Sequence, residues 1–159
     1  MTQFKRAIQV LTDAEVQFVV IGGISASLHG SARITLDLDI CYSRATRNLR
    51  RIAEALAAFH PWPRGFPPDL PFVWDEATLR NGMLLTLDTD LGQINLLGEV
   101  SGVGSYDDVS ACSVEVEAYE RRVRTLDLKS LIQSKRAAGR EKDLSALPEL
   151  ESLLEAEEP

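Results

Sequence analysis

Residues 20–44 read VIGGISASLHGSARITLDLDICYSR. An apolar run ends at Gly22-Gly23. A small-residue segment then leads to His29-Gly30, and a second strand-like run carries Asp37 and Asp39. Residues i and i+2 of a strand point to the same face, so the two carboxylates project together while Leu36, Leu38 and Ile40 face the other way. Neighbouring carboxylates raise each other's proton affinity unless a cation sits between them. A hard divalent ion with oxygen ligands resolves the conflict. Mg²⁺ fits best, with Mn²⁺ as the alternative, because Mg²⁺ completes its shell with water and phosphate oxygens. The Gly22-Gly23 turn supplies the matching half. Glycine lets an anion approach the backbone, and a helix N-terminus favours negative charge. Ser25 adds a hydroxyl there.

Working outward, the pattern predicts a helix over 2–15, a strand over 16–21, a short helix over 24–29 and a strand over 36–42. A helix follows over 45–59. Residues 60–71 hold all but two of the seven prolines and read as a loop. Strands over 83–88 and 93–97 flank a hairpin turn at 89–92. A glycine-bearing loop covers 98–108, and one or two strands lie within 113–123. A helix over 127–138, with Asp127 as N-cap, is broken by Gly139 before a last helix over 143–157. This order predicts an α+β (mixed α/β) fold, a mixed sheet flanked by helices, as one domain over 1–159. Residues 126–159 form its C-terminal helical segment.

The composition is that of a water-soluble globular chain, with 45% apolar and 26% charged residues. No apolar run reaches the roughly 20 residues that span a bilayer, and the basic, amphipathic start is not a signal peptide. The expectation is a cytoplasmic protein with no membrane partner. Cys41 and Cys112 match no metal-ligand spacing, and Cys41 reads as a small buried hydrophobe. The net charge of −7 is uneven. Glu149, Glu151, Glu155, Glu157 and Glu158 carry five of those charges, which leaves −2 for the rest. The tail reads as a solubilising helix end, with masking of a basic site as the alternative.

The glycine pair followed by Asp37-Leu38-Asp39 resembles the nucleotidyltransferase signature of the polymerase-β-like superfamily. The string GGISASLHGSARITLDLDI, residues 22–40, is similar to the small prokaryotic branch, the minimal nucleotidyltransferases and the toxin partners of abortive-infection toxin–antitoxin systems. LIQSKRAAGREKDL, residues 131–144, resembles their C-terminal helical segment. The resemblance implies that Asp37 and Asp39 hold two Mg²⁺ ions and the glycine turn holds the triphosphate of a nucleoside triphosphate. A hydroxyl acceptor would then attack the α-phosphate and displace pyrophosphate. RNA, protein and small-molecule acceptors are all open, and a cognate antitoxin would be a partner.

The family pattern places a third carboxylate on a later strand, where GQINLL (residues 92–97) holds Asn95. Asparagine offers one carbonyl oxygen but cannot act as a base. The alternative function is therefore a catalytically impaired module that binds nucleotide or protein. Hairpin alternation pairs Thr86 with Asn95 and Asp88 with Gln93. Asp88 and Asn95 then share a face as diagonal neighbours roughly 7–8 Å apart at Cα, which makes Asp88 a candidate substitute. Arg33 and Lys135 are candidate phosphate ligands, with Arg140 and Lys142 beside Lys135. Arg44, Arg47 and Arg51 share one helix face, either a solvated face or an RNA phosphate patch. His29 reads as a helix-end residue, and Trp62 and Trp74 as packing anchors.

Overall fold

The structure, a computed structural model, describes residues 3–157; residue 2, where the first helix was expected to begin, and Glu158 lie outside the described residues. Helix α1 (Phe4–Asp13) leads into β1 (Phe18–Ile21), α2 (Gly22–Leu28), β2 (Asp37–Tyr42) and α3 (Thr46–Ala57). A short β3 (Trp62–Pro63) and α4 (Glu76–Asn81) precede the hairpin β4 (Leu84–Thr89) and β5 (Gly92–Leu97). Then come β6 (Glu99–Val100), β7 (Gly104–Ser105), α5 (Tyr106–Ala111), β8 (Ser113–Ala118) and β9 (Arg121–Leu126), with α6 (Leu128–Ala138) and α7 (Glu141–Glu157) last.

One seven-stranded sheet runs β3-β4-β5-β2-β1-β9-β8. It is mixed: β1–β9 and β2–β5 are parallel, and the other neighbours are antiparallel. Every residue of β1 is buried, which explains its unbroken apolar run. Phe18 and Val20 join the core under α1, α3 and α4, while Val19 and Ile21 join the core under α5, α6 and α7. On β2, Leu38, Ile40 and Tyr42 face the first core, and Cys41 faces the second, on the same side as Asp37 and Asp39.

The expected mixed sheet flanked by helices is what forms, with differences where local patterning was weak. The proline loop contains β3, which pairs Trp62 with Asp88. Within 98–108 lie the small β6–β7 hairpin and the start of α5. The 113–123 region is a full hairpin reaching Leu126. Helix α2 begins at Gly22, so the two glycines are its first turn rather than a preceding loop. The predicted register of the β4–β5 hairpin is observed, with Thr86 opposite Asn95 and Asp88 opposite Gln93. Asp127 caps α6 by accepting from the Ser130 N–H at 2.7 Å, and Gly139 ends it in the left-handed conformation, φ 67°.

Asn48 locks α3 to the sheet. Its amide accepts from the Gln17 N–H at 2.7 Å and donates to the carbonyls of Gln17 and Ser43 at 3.1 and 2.8 Å. Asn48 is 2% exposed, while its partners at Gln17 and Ser43 lie nearer the surface. Asn48→Ala is expected to lower stability by about 3 kcal/mol, since it removes three hydrogen bonds worth roughly 1 kcal/mol each. Urea unfolding measures it; a loss well under 1 kcal/mol would show that the staple is dispensable.

Candidate functional site

The register between β2 and β5 sets Asn95 opposite Asp39. Its amide nitrogen donates to Asp39 Oδ1 at 2.6 Å and to Asp37 Oδ2 at 3.2 Å. The pair of carboxylates predicted from alternation thus shares one neutral donor. Burial is the main influence that pushes the Asp39 carboxyl up from its ordinary value; Asp37 adds to it, while the Asn95 hydrogen bond, Lys135 and Lys142 act the other way.

Gly22 lies against Asp39. A Cβ there would stand 2.4 Å from Asp39 Oδ2, and the φ of 64° disfavours any side chain. At Gly23 a Cβ would meet Thr35 Oγ1 at 2.6 Å. The glycines therefore let the carboxylate and the 31–36 loop close onto the first turn of α2. N–H groups in such a turn lack intrahelical partners.

A cleft of roughly 350 Å³ opens in front of this turn, lined by Gly23, Asp37 and Asp39 on one side and by Lys135, Arg140 and Lys142 on the other. That volume suits a small-molecule ligand. Asp143, 1% exposed, organises the basic wall. It pairs with Arg140 Nε at 2.7 Å and with Lys135 Nζ at 3.5 Å. Burial opposes its ionisation, but the Arg140 hydrogen bond and charge, with Lys135, overcome this and hold its carboxyl below the ordinary value. Arg33 lines the cleft mouth, where its guanidinium donates to the Ser145 carbonyl and hydroxyl of α7 at 3.1 and 3.2 Å. Glu149 clasps the same loop by accepting from the Ser31 hydroxyl and the Ala32 N–H, so this part of the acidic tail is structural rather than merely solvating.

Ser25 stands apart from the cleft. It is wholly buried, with its hydroxyl 2.6 Å from Thr125 Oγ1 and donated to the Leu126 carbonyl, so helical rotation has turned it away from the glycine turn's open side. The expected row of Arg44, Arg47 and Arg51 is also divided, with Arg44 lying before the start of α3. Arg44 donates to the carbonyls of Leu79, Arg80 and Gly82 at the end of α4, and Arg51 to that of Glu15; only Arg47 of the three is fully at the surface. His29 sits at the end of α2 with Nε2 2.8 Å from the Leu126 carbonyl. Trp62 and Trp74 each donate to a backbone carbonyl, consistent with anchoring. Cys41 is buried, and burial pushes its thiol up to about 12.

Sequence reasoning missed two members of this arrangement. Arg64 reaches Asp37 at 3.7 Å and Asp88 at 3.5 Å, and donates to Asn95 Oδ1 at 3.4 Å. Its proline-rich surroundings gave no sign of a site. Asp143 was visible as an i,i+3 partner of Arg140, but its burial was not.

Among the described residues no group of three His, Cys, Asp or Glu side chains could enclose a metal. Asp37 and Asp39 still suit Mg²⁺, which needs only one or two protein carboxylates beside water and phosphate oxygens. Mn²⁺, another oxygen-seeking divalent ion, suits the same donors.

Asp143→Asn is expected to destabilise the fold at neutral pH, since it leaves Lys135 and Arg140 without their buried counter-charge. The native pKa lies below the ordinary 3.8, so this stabilisation is present above pH 3.8 and is lost as pH falls through the native value. The stability gap between wild type and Asp143→Asn should be flat from pH 5 to 8, by this linkage, and shrink below about pH 4. Denaturant unfolding across pH measures it, and a gap that widens on acidification would contradict the assignment.

No protein-family model matches the chain, and no curated protein matches it significantly. Solved structures do. A candidate nucleotidyltransferase from Thermotoga maritima superposes with a TM-score of 0.61 at 17% identity, over 94% of this chain and 94% of that one. The lincosamide antibiotic adenylyltransferase LnuA, in its lincomycin-bound form, gives a TM-score of 0.63 at 12% identity, over 95% of this chain and 96% of that one. At these identities the likeness establishes architecture, and the chain has the mixed α+β nucleotidyltransferase fold.

Proposed function

We propose that the protein is a divalent-metal-dependent nucleotidyltransferase that moves a nucleoside monophosphate from a nucleoside triphosphate to a hydroxyl acceptor. The observation that carries this reading is the cleft with Asp37 and Asp39 on one wall and Lys135, Arg140 and Lys142 on the other. A divalent cation on Asp37 and Asp39 would neutralise the reacting phosphate and polarise its α-phosphorus. The basic wall would hold the β- and γ-phosphates, and the glycine turn would admit them close to the backbone. In the transfer, the acceptor oxygen forms a bond to the α-phosphorus. The bond to the β-phosphate bridging oxygen breaks, and pyrophosphate leaves. The acceptor's proton would pass to Asp88, which lies on the Asn95 side of the site beside Arg64.

The lincosamide adenylyltransferase neighbour makes a small-molecule hydroxyl one arm of the search, with RNA and protein as the others. A toxin–antitoxin role, with a cognate antitoxin as partner, rests on the resemblance of residues 22–40 and 131–144. A second reading has its own observation. Asn95 donates to both carboxylates and supplies no base, as expected of a module that binds nucleotide without turnover. No helix among the described residues is long and apolar enough to cross a membrane.

Thermal unfolding with each nucleoside triphosphate, with and without Mg²⁺ or Mn²⁺, tests the reading without knowledge of the acceptor. At 100 times Kd the native state gains about 2.7 kcal/mol, roughly 5–10 °C in Tm for a chain of this size. The rise should require metal and vanish in Asp39→Asn. That variant should be no less stable than wild type in metal-free buffer, because it removes a charge whose burial is unfavourable. A nucleotide-induced rise that survives Asp39→Asn would overturn the site assignment.

Asn95→Asp separates turnover from binding. Transfer of label from an α-³²P nucleoside triphosphate into RNA, protein or small-molecule fractions should be abolished in Asp88→Asn and unchanged in Asn95→Asp, because Asp88 takes the proton. A rise of about 10²-fold in Asn95→Asp would instead show that the missing carboxylate limits proton removal.

A further inference from the structure

Arg64 projects from a fixed platform. Its backbone N–H donates to the Thr86 carbonyl at 2.8 Å, which continues the pairing of β3 with β4. Behind it, the Trp62 indole donates to the Phe66 carbonyl at 2.9 Å, and the Trp62 ring meets those of Phe66 and Phe72 edge-on at 5.7 and 5.4 Å. The guanidinium therefore reaches Asp37, Asp88 and Asn95 from an anchored stem. Its contacts of 3.4–3.7 Å are those of a charge spanning several acceptors rather than a single tight hydrogen bond.

This placement fixes Asn95. Its Oδ1 accepts from Arg64, so its nitrogen is the end that faces Asp37 and Asp39. Flipping the amide to offer oxygen toward the carboxylates would set its NH₂ against the guanidinium, donor against donor. Arg64 on one side and the two carboxylates on the other together hold Asn95 in the orientation that presents no oxygen to a cation. Strand order sets Asp88 on β4 and Asn95 on β5 to one side of β2, with Arg64's third partner, Asp37, on β2 itself, while β1 leads into the glycine turn on the other side.

We propose that this site takes one divalent cation per chain rather than a pair, on the glycine-turn side of Asp37 and Asp39, and that the Arg64 guanidinium is its built-in second cation. The proposal rests on the reading of Asp37 and Asp39 as metal ligands. Arg64 is a positioning residue that acts through Asn95 and Asp37.

The test is a count of bound ions. Mn²⁺ is titrated into the full chain with a nucleoside triphosphate analogue carrying a methylene α–β bridge, and free Mn²⁺ is followed by its EPR signal, corrected for the analogue alone. Wild type should bind one ion per chain and Arg64→Ala two, with Arg64→Gln as a second charge-removing variant. Arg64→Lys, which keeps the charge, should stay at one. Circular dichroism melting confirms that each variant is folded. Two ions in wild type, or one in both wild type and the charge-removing variants, would overturn the proposal while leaving the nucleotidyltransferase reading standing. Binding in wild type no greater than in Asp39→Asn would instead remove the metal-ligand reading itself, and this proposal with it.

Discussion

Two carboxylates side by side on one face of a half-buried strand are the constraint around which this protein is arranged. Asp37 and Asp39 cannot be moved apart, because strand geometry fixes them two residues and one face together. Everything near them answers that repulsion. Asn95 arrives by register with β5 and gives each oxygen pair a donor. Gly22 is a glycine because Asp39 occupies the space a Cβ would take. Lys135 and Lys142 approach across the cleft and draw the Asp39 carboxyl back toward ionisation against the effect of its burial.

The mixed topology makes room for this. The parallel β2–β5 pair and the antiparallel β4–β5 hairpin put Thr86, Asp88, Gln93, Asn95, Asp37 and Asp39 on one face of the sheet by alternation. On that same face, α5, α6 and α7 build their core over Val19, Ile21, Cys41 and Leu126, toward β1 and β9. One half of the face is thus packed and the other is polar, and the cleft lies along the boundary. Asp143 ties the two halves electrostatically. As a buried anion on α7 it keeps Lys135 and Arg140 at the cleft's edge instead of letting them extend into water.

The parts of this that were legible in the sequence share a property: short-range periodicity determines them. Alternation placed Asp37 with Asp39, and turn chemistry placed Thr86 opposite Asn95 across the hairpin. Gly139 and Asp127 announced the ends of α6. The parts that were not legible depend on contacts across long sequence separations. Ser25 looked like a phosphate ligand because it is near the glycines in sequence. Its direction was set by packing against Thr125, a hundred residues away. Arg44 seemed one of a solvated row, but a later helix, α4, ends against it and takes its donors. Arg64 lay in a segment whose prolines hid a two-residue strand, and only the pairing of that strand with β4 points it at the carboxylates.

Arg64 also bears on how the departure at Asn95 is understood. Loss of a carboxylate by drift would leave the remaining pair short of a partner and the new amide without a defined role. Here the amide uses both ends: nitrogen to two carboxylates and oxygen to a guanidinium that itself reaches Asp37 and Asp88. The two carboxylates draw the amide nitrogen inward and Arg64 takes the oxygen, while a second cation bound beside Arg64 would meet like charge. An amide and an arginine together occupy the place that a third carboxylate would share with a metal. That arrangement favours a site rebalanced to a different number of ions over one that has simply decayed.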